Sequence, residues 1–368
     1  MRVCHLTSVH SHTDTRIFIK ECKALVEAGY EVHLVAPGAP SSVIDGVHVH
    51  GIVKETGGRV KRMTKTVKHV FKKGLSIDAD VYHFHDPELI PTGLKLKKMK
   101  KKVIYDVHED LPRDIMSKHW IRPIFRKLIA NLFERYENKS SKKFDLVCTS
   151  TPFIKDRFKS IGCNAVVIHN YPLLNESKTI KSAWLDKEDV VCYVGGITFV
   201  RGINEMVQSL PLTNSKVELL LGGTFASMKE SEASKKLDGW GHVRELGYLN
   251  REEVYETYKR SKAGLVVLHP INSYIESLPI KMFEYMSSGI PVICSNFPLW
   301  ANIIKDNKCG ICINPLNPRE LASAIDYIIE HPEEAYRMGL NGRAAVEKYF
   351  NWEAESKRLV SAYERLLK

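Results

Sequence analysis

Two carboxylates, Glu276 and Glu284, stand eight residues apart in Tyr274–Pro291, Y-I-E-S-L-P-I-K-M-F-E-Y-M-S-S-G-I-P. Ser277 can cap a helix that begins at Leu278 or Pro279, where a proline loses no intrahelical hydrogen bond. Ile280, Phe283 and the Met282/Met286 pair then recur at helical spacing until Gly289 stops the run. Glu276 falls in the loop before the helix and Glu284 in its second turn, so the two do not share a helix face. A loop that ends at a helix N-terminus offers unpaired N–H groups and a positive dipole to an anion, which makes phosphate the natural ligand, with carboxylates nearby to accept from hydroxyls. A sugar nucleotide carries both groups. The same spacing also fits an ordinary solvated helix start with two surface glutamates.

Tyr193-Val-Gly-Gly-Ile-Thr-Phe-Val-Arg-Gly202 is a strand running into a glycine turn, a phosphate cradle built on Gly195 and Gly196 with one cation, Arg201. Lys281 either adds charge to such a site or is a solvated helix lysine. Gly222-Gly223 leaves room for a ligand near a sheet edge, or makes a turn. His83 and His85 alternate in Y-H-F-H-D-P-E-L and could ligate a metal, but no further ligand shares their spacing, and His85-Asp86-Pro87 reads as a helix start on a cleft wall. His108 ends the strand V-I-Y-D-V. Asp78-Ala-Asp80 precedes a strand and reads as its solvated start, and Cys309-Gly-Ile-Cys312 lacks a second cysteine pair and reads as a strand, so no metal is expected at either.

The run E-S-L-P-I-K-M-F-E-Y-M-S-S-G-I-P-V-I resembles the Glu-x7-Glu signature of glycosyltransferase family 4, the retaining sugar-nucleotide transferases of GT-B fold. The match includes both glutamates, Pro279, the Phe283-Glu284 pair and the closing Gly-x-Pro-Val-Ile. The resemblance implies that Glu276 faces the donor sugar, that the amides of Ser277 and Leu278 meet sugar and diphosphate, and that Glu284 accepts the ribose hydroxyls. In that family an arginine after the first loop glycine and a lysine before the last grip the diphosphate. Here Gly196 stands in the first place and Arg201 in the second, so one cation survives, and Arg can offer a bidentate fork. Gly222, Gly223 and Gly247-Tyr248-Leu249 fall where the family's chain passes the donor. His108 matches the histidine that touches the donor sugar and helps orient the acceptor side. The loop His10–Arg16 is placed to meet acceptor. Its Thr13-Asp14-Thr15-Arg16 departs from the family's glycine pair, and Asp14, Arg16 and His85 are the acceptor candidates.

The elements that must hold these residues alternate. Strands Arg2–Leu6, Glu31–Ala36, Val47–Val53, Val81–Phe84, Val103–Val107, Leu146–Cys148 and Val166–Ile168 are separated by helical patterns at Ile17–Ala28, Arg59–Lys73, from Pro87 and from Pro152. The second half repeats the alternation, with strands Val190–Val194, Val217–Leu221, Val243–Leu246, Gly264–Leu268 and Ile290–Cys294 and helices near Ile203–Leu210, Glu252–Lys259, Glu333–Tyr349 and Trp352–Leu367. The expected class is α/β, a GT-B arrangement of two Rossmann-like doubly wound domains facing across a cleft. Residues 1–170 form the acceptor domain, 171–187 a linker, 188–350 the nucleotide-sugar donor domain, and 351–368 a helix that the resemblance carries back to the first domain.

Length and charge set the remaining expectations. The 368 residues suit two domains, and no apolar run reaches a membrane span. The eight scattered cysteines read as buried hydrophobes of a reducing compartment. Residues 1–170 hold 30 Lys+Arg against 18 Asp+Glu, while the rest is near neutral. In Arg59–Lys73 the residues Val60, Met63, Val67 and Val70 form a stripe flanked by Arg59, Lys61, Arg62, Lys65, Lys68, Lys72 and Lys73, an interfacial-helix pattern. Lys95–Lys102 adds six lysines, and Trp120–Tyr136 mixes aromatic and basic residues. An anionic membrane surface is the expected partner, and no nucleic-acid-binding module accompanies the charge. The chain is expected to be cytoplasmic, peripheral at the inner face of the membrane. Its expected reaction moves a hexosyl or N-acetylhexosaminyl unit, with retention and without metal or cofactor, from a nucleoside-diphosphate sugar, UDP-sugar favoured. The acceptor is a lipid-linked glycan in envelope, capsular or O-antigen polysaccharide synthesis. A GT-B sugar-nucleotide epimerase or hydrolase, and a non-catalytic sugar-binding protein, are the other readings.

Overall fold

The structure is a computed structural model that describes residues 1–55, 58–117, 121–174, 184 and 187–368, without the side chains of residues 59 and 60. It forms two compact units, residues 1–170 with 352–368 and residues 171–351.

In the first unit the described strands are β1 (Arg2–Leu6), β2 (Glu31–Pro37), β3 (Ser42–Ile44), β4 (Val47–Ile52), β5 (Val81–Phe84), β6 (Lys102–Val107), β7 (Leu146–Thr149) and β8 (Ala165–Val167). They form one sheet in the order β3-β4-β2-β1-β5-β6-β7-β8. All pairs are parallel except β3–β4. Runs such as Val81–Phe84 are buried at every residue because helices cover both faces of a parallel sheet. The antiparallel edge comes from Asp45-Gly46, whose φ values of 49° and 80° suit a two-residue hairpin turn. The helical stretch after β1 begins with a π-helical segment, Thr15–Cys22, and continues as an α-helix, Lys23–Glu27. Asp14 caps it by accepting from the Arg16 and Ile17 amides, and the segment turns Arg16, Lys20 and Glu21 inward.

The basic helix does not present its apolar stripe to solvent. It runs through Gly58–Lys61, Arg62–Thr66 and Val67–Ile77, with Val70 and Ile77 in the core and Val67 and Phe71 packed against it. Met63 alone of the stripe's described residues is exposed, and the side chains of Arg59 and Val60 lie outside the described residues. The helix therefore has basic flanks but no free insertion face. That face occurs on another helix, Pro123–Ser141, where Ile124, Phe125, Leu128, Ile129, Leu132 and Tyr136 are exposed, Ile124 by 79%. Trp120, just before it, lies outside the described residues, as does most of the expected linker. The last helix, Trp352–Leu367, is part of this unit. Its Glu355 accepts from the His169 amide at 3.0 Å, and its Tyr363 hydroxyl meets His83 Nδ1 at 2.8 Å.

The second unit holds six described strands, all parallel: β9 (Val190–Val194), β10 (Glu218–Gly222), β11 (Val243–Gly247), β12 (Ala263–Val266), β13 (Val292–Ser295) and β14 (Gly310–Ile313). Their order is β11-β10-β9-β12-β13-β14. The chain leaves β9 to build β10 and β11 on one side and returns to add β12 to β14 on the other. The switch point thus lies between β9 and β12, and ligands of such sheets bind beyond the carboxyl ends of the strands at that point. The connection after β9 carries Gly195 to Arg201, and the connection after β12 carries Glu276 to Glu284. Both motifs singled out in the sequence emerge there.

Candidate active site

In the second unit the backbone itself shapes the site. Gly195 (φ 140°) and Gly223 (φ 132°) adopt conformations that side chains disfavour, and a Cβ on Gly223 would come within 1.9 Å of the Gly195 carbonyl oxygen. The Gly195 amide donates to the Gly222 carbonyl at 2.9 Å, so the two glycine turns form one surface. A Cβ on Gly222 would meet Leu249 Cδ1 at 2.5 Å, which places Leu249 at this surface, while Tyr248 beside it is 82% exposed. Arg201 lies in a short 3-10 turn, Phe199–Arg201, that ends at Gly202 (φ 75°). Its Nη1 donates to the Gly196 carbonyl at 3.2 Å, the same oxygen to which the Tyr193 hydroxyl donates. A side chain at Gly196 would meet this guanidinium at 2.9 Å, so Arg201 already fills the space beside that glycine.

The Glu276–Glu284 stretch differs from its sequence reading in two respects. The helix is Ile280–Ser287, capped by backbone at Pro279, and Ser277 does not cap it. Instead a short helix, Asn272–Ile275, precedes the loop, and both the amide and the hydroxyl of Ser277 donate to the Tyr274 carbonyl. The Trp300 indole donates to the Ser277 carbonyl at 2.6 Å. Of the two loop amides, that of Leu278 alone is without an acceptor among the described residues. Glu276 is exposed. Glu284 is mostly buried and accepts from Arg251 Nη1 at 2.9 Å and from the Tyr258 hydroxyl at 3.2 Å. Each carboxylate oxygen keeps capacity for another donor, such as a ribose hydroxyl.

Lys281 is not a solvated helix lysine. Its Nζ lies 3.7 Å from the centre of the Tyr193 ring, is buried, and has no hydrogen-bond partner among the described residues. A Cβ on Gly195 would sit 3.0 Å from it, so the ammonium nitrogen lies at the glycine turn. Burial, and then the neighbouring Arg201 charge, push its pKa well below the ordinary lysine value.

The first unit gathers a separate polar cluster. His108 Nε2 lies 2.8 Å from Asp106 Oδ2 and 3.3 Å from His85 Nδ1, and its ring is partly exposed. Asp106 is fully buried. Burial works against its charge, but the Arg16 guanidinium, bidentate at 3.0 and 2.9 Å, and His108 outweigh that and hold it well below the usual carboxylate range. Glu21 is pushed the other way, by burial first and by the Asp106 charge next. Two acceptor candidates are thereby corrected. Arg16 is interior and holds Asp106 and the Ile168 carbonyl, and His85 is buried between His5 at 2.9 Å and Asp106 at 3.1 Å, so neither reaches a ligand at the surface. Asp14 remains partly exposed, bonded to His10 at 3.1 Å.

The expectation that His83 and His85 have no companions is also corrected. His5 and Glu21 bring ligand atoms within 4.8 Å of theirs, as Asp106 and His108 do for His85, so a metal ion would find donors in this cluster. Asp78 is different, since it ends a helix and pairs with Lys101, while Asp80 caps the Arg2 amide. Cys312 lies opposite Cys294 in the β13–β14 register, with sulfurs 3.8 Å apart. Sequence reasoning passed over Asp106, Glu21, Arg251, Tyr258 and Tyr274. Asp106 alone carried a signal, as a charge inside an otherwise apolar strand.

Two largely parallel α/β units, the second with glycine turns and cations at its switch point, make up a GT-B fold. Residues 16–171 match the family described as Glycosyltransferase Family 4, and residues 175–345 match that described as Glycosyl transferases group 1. Together the two matches span most of the chain, which is a glycosyltransferase of the family-4 type. It is 21% identical over 79% of its length to the MMP alpha-(1->4)-mannosyltransferase of Mycolicibacterium hassiacum, covering 71% of that protein. It is 20% identical over 80% of its length to the O-antigen chain mannosyltransferase C of Escherichia coli, covering 78% of that protein. Anabaena HepE in complex with UDP and glucose shares the fold, with a TM-score of 0.76 and 14% identity over 99% of this chain and 100% of that one.

Proposed function

We propose that this glycosyltransferase transfers a sugar with retention, without a metal, from a nucleoside-diphosphate sugar, a UDP-sugar by preference, to a lipid-linked glycan acceptor in envelope or surface polysaccharide synthesis. The observation that carries the donor half is the meeting of Gly195, Gly223, Arg201 and Lys281 at the switch point of the second sheet, with Glu276 and Glu284 on the adjoining stretch. Glycine turns admit a diphosphate and cations hold it. Glu284 then takes the ribose and Glu276 the sugar. UDP in the HepE complex supports the base, and the O-antigen and mannosyltransferase relatives support a surface-glycan acceptor.

Retention needs the acceptor to arrive on the face the diphosphate leaves. Charge grows on the leaving phosphate as the bond breaks, and Arg201 with the Leu278 amide is disposed to stabilise it, while a phosphate oxygen takes the acceptor proton. In the first unit the partly exposed His108, fixed by Asp106 and Arg16, is the group that would meet donor sugar and acceptor, with Asp14 beside it. Incubating the protein with a panel of UDP-, GDP-, ADP- and dTDP-sugars, with and without a polyprenyl-diphosphate-linked acceptor, tests this reading. Sugar appearing on the acceptor only with one sugar nucleotide supports transfer. Acceptor-independent conversion of the nucleotide would favour the epimerase or hydrolase reading.

An anionic bilayer is the surface we assign to the first unit. No described helix is long and apolar enough to cross a membrane. Helix Pro123–Ser141 combines the exposed stripe Ile124, Phe125, Leu128, Ile129 and Leu132 with exposed Arg122, Lys127, Arg135 and Lys139, and Lys65, Lys68 and Lys72 of the basic helix are exposed as well. Apolar side chains would enter the interface and cations meet the headgroups, each cation contributing up to about 1 kcal/mol. Sedimentation with phosphatidylglycerol vesicles should be lost in a Leu128→Asp/Leu132→Asp variant and weakened in Lys65→Glu/Lys68→Glu/Lys72→Glu. Retention of vesicle binding by both variants would refute the assignment.

A further inference from the structure

A nucleoside diphosphate brings at least two negative charges, and the glycine loop after β9 supplies one cation, Arg201. The loop carries no other cation beside it, because Gly196 has no side chain and the Arg201 guanidinium occupies the space next to it. A second cationic nitrogen nevertheless reaches the turn from a different element. Lys281 Nζ comes from the first turn of helix Ile280–Ser287, lies against Gly195, and is buried without a hydrogen-bond acceptor among the described residues. An amine in that condition carries a desolvation cost that the Tyr193 ring face relieves in part. We propose that Lys281 is the second diphosphate-binding cation, supplied by the helix in place of the loop, and that it takes up a proton from solvent as the diphosphate binds. The proposal rests on the nucleotide-sugar reading of this site.

The groups around Lys281 agree with that behaviour. On β9 the Cys192 thiol is pushed up to about 12 by burial. The Tyr193 hydroxyl is likewise raised to about 12 and donates to the Gly196 carbonyl, so both are neutral. Arg201, from the 3-10 turn, is always charged and repels a protonated Lys281. Glu284, on the same helix, attracts it, but its oxygens are engaged with Arg251 and Tyr258. Repulsion and burial thus weigh against the charged amine in the empty site. A diphosphate oxygen placed between Lys281 and Arg201 reverses the balance, offering both an acceptor and a compensating charge. Proton uptake then grows as pH rises above the lowered pKa of the empty site, and affinity falls with rising pH between that pKa and the higher one of the occupied site, levelling off above it.

Calorimetric titration of UDP, GDP, ADP and dTDP, and of the matching nucleosides by competition, into wild type, Lys281→Met and Lys281→Arg tests it. A charge-assisted hydrogen bond of this kind implies a loss of about ten- to hundredfold in diphosphate affinity for Lys281→Met. The nucleoside should change by less than about twofold on the same argument, since the base and ribose do not reach this nitrogen. Lys281→Arg should restore most of the affinity. Repeating the titration in buffers of different ionisation enthalpy should show proton uptake for wild type and none for Lys281→Arg, whose guanidinium is already charged. Diphosphate binding by Lys281→Met at wild-type strength, equal losses for nucleoside and diphosphate, or absence of proton uptake in wild type would overturn the proposal. Failure of every diphosphate to bind wild type would remove the nucleotide reading itself, and is seen before any variant is made.

Discussion

Replacing Glu284 by alanine separates the nucleotide contribution of this carboxylate from its structural one. In the empty protein its oxygens accept from Arg251 at 2.9 Å and from the buried Tyr258 hydroxyl at 3.2 Å. Each retains a lone pair for a ribose hydroxyl. One hydrogen bond to a charged group contributes about 1.5–3 kcal/mol, so its loss should raise the Kd for the nucleoside diphosphate about 10- to 150-fold, a second bond adding less than its full share. Removing a negative charge near the diphosphate offsets part of this, which favours the lower end of the range. The alanine variant should also melt earlier, because the Tyr258 hydroxyl is left buried without its acceptor at a cost of about 1–3 kcal/mol, whereas half-exposed Arg251 turns to water. Glu284→Gln keeps an acceptor for Tyr258 and should keep most of the stability while still binding nucleotide weakly. Calorimetry for affinity and scanning calorimetry for Tm read the two effects independently. Binding by both variants within about twofold of wild type would remove Glu284 from the ribose site.

Arg201→Ala should lower kcat more than donor affinity, by on the order of 10²-fold, since charge on the leaving phosphate grows in the transition state; steady-state kinetics with a saturating donor checks the split. Lys281 has a pKa below its unfolded value because of burial and Arg201, so the unfolded chain binds the extra proton and the ligand-free fold gains about 1.4 kcal/mol per pH unit as pH rises between the two values. Lys281→Met should therefore melt later than wild type at neutral pH without ligand, the gap closing towards the ordinary lysine pKa, as pH-dependent melting will show. Arg16→Met should destabilise the first unit by about 3–5 kcal/mol, because it leaves the Asp106 carboxylate buried without its cation, and denaturant unfolding measures the loss.

Strands whose residues are all buried were legible as short apolar runs, and their alternation with helical patterns implied parallel sheets. The edge strand Ser42–Ile44 was passed over although Asp45-Gly46 is a hairpin signal, because its residues are mostly exposed and show no apolar run. Helices Pro298–Asn307 and Pro318–Glu330 begin at prolines that read more readily as turns. At the site, spacing brought out Glu276, Glu284 and Arg201, since a βα connection keeps its functional residues close in sequence. It left Lys281 between a site charge and a solvated lysine, because its meaning depends on a tyrosine ring from β9, and it could not bring out the interior role of Arg16, which depends on an aspartate 90 residues further along. The stripe of Arg59–Lys73 misled for the same reason. An apolar face that packs on a core and one that meets lipid have the same periodicity, and only the neighbours decide.

The most direct test of the account is transfer of labelled sugar from the sugar nucleotide whose diphosphate binds, to a polyprenyl-diphosphate-linked acceptor, with the anomeric configuration of the new bond read by NMR. The account predicts a labelled lipid-linked product with the donor's anomeric configuration, lost in Arg201→Ala. An inverted product would contradict the retaining chemistry, and undiminished transfer by Arg201→Ala would contradict the placement of the reaction at the β9–β12 switch point.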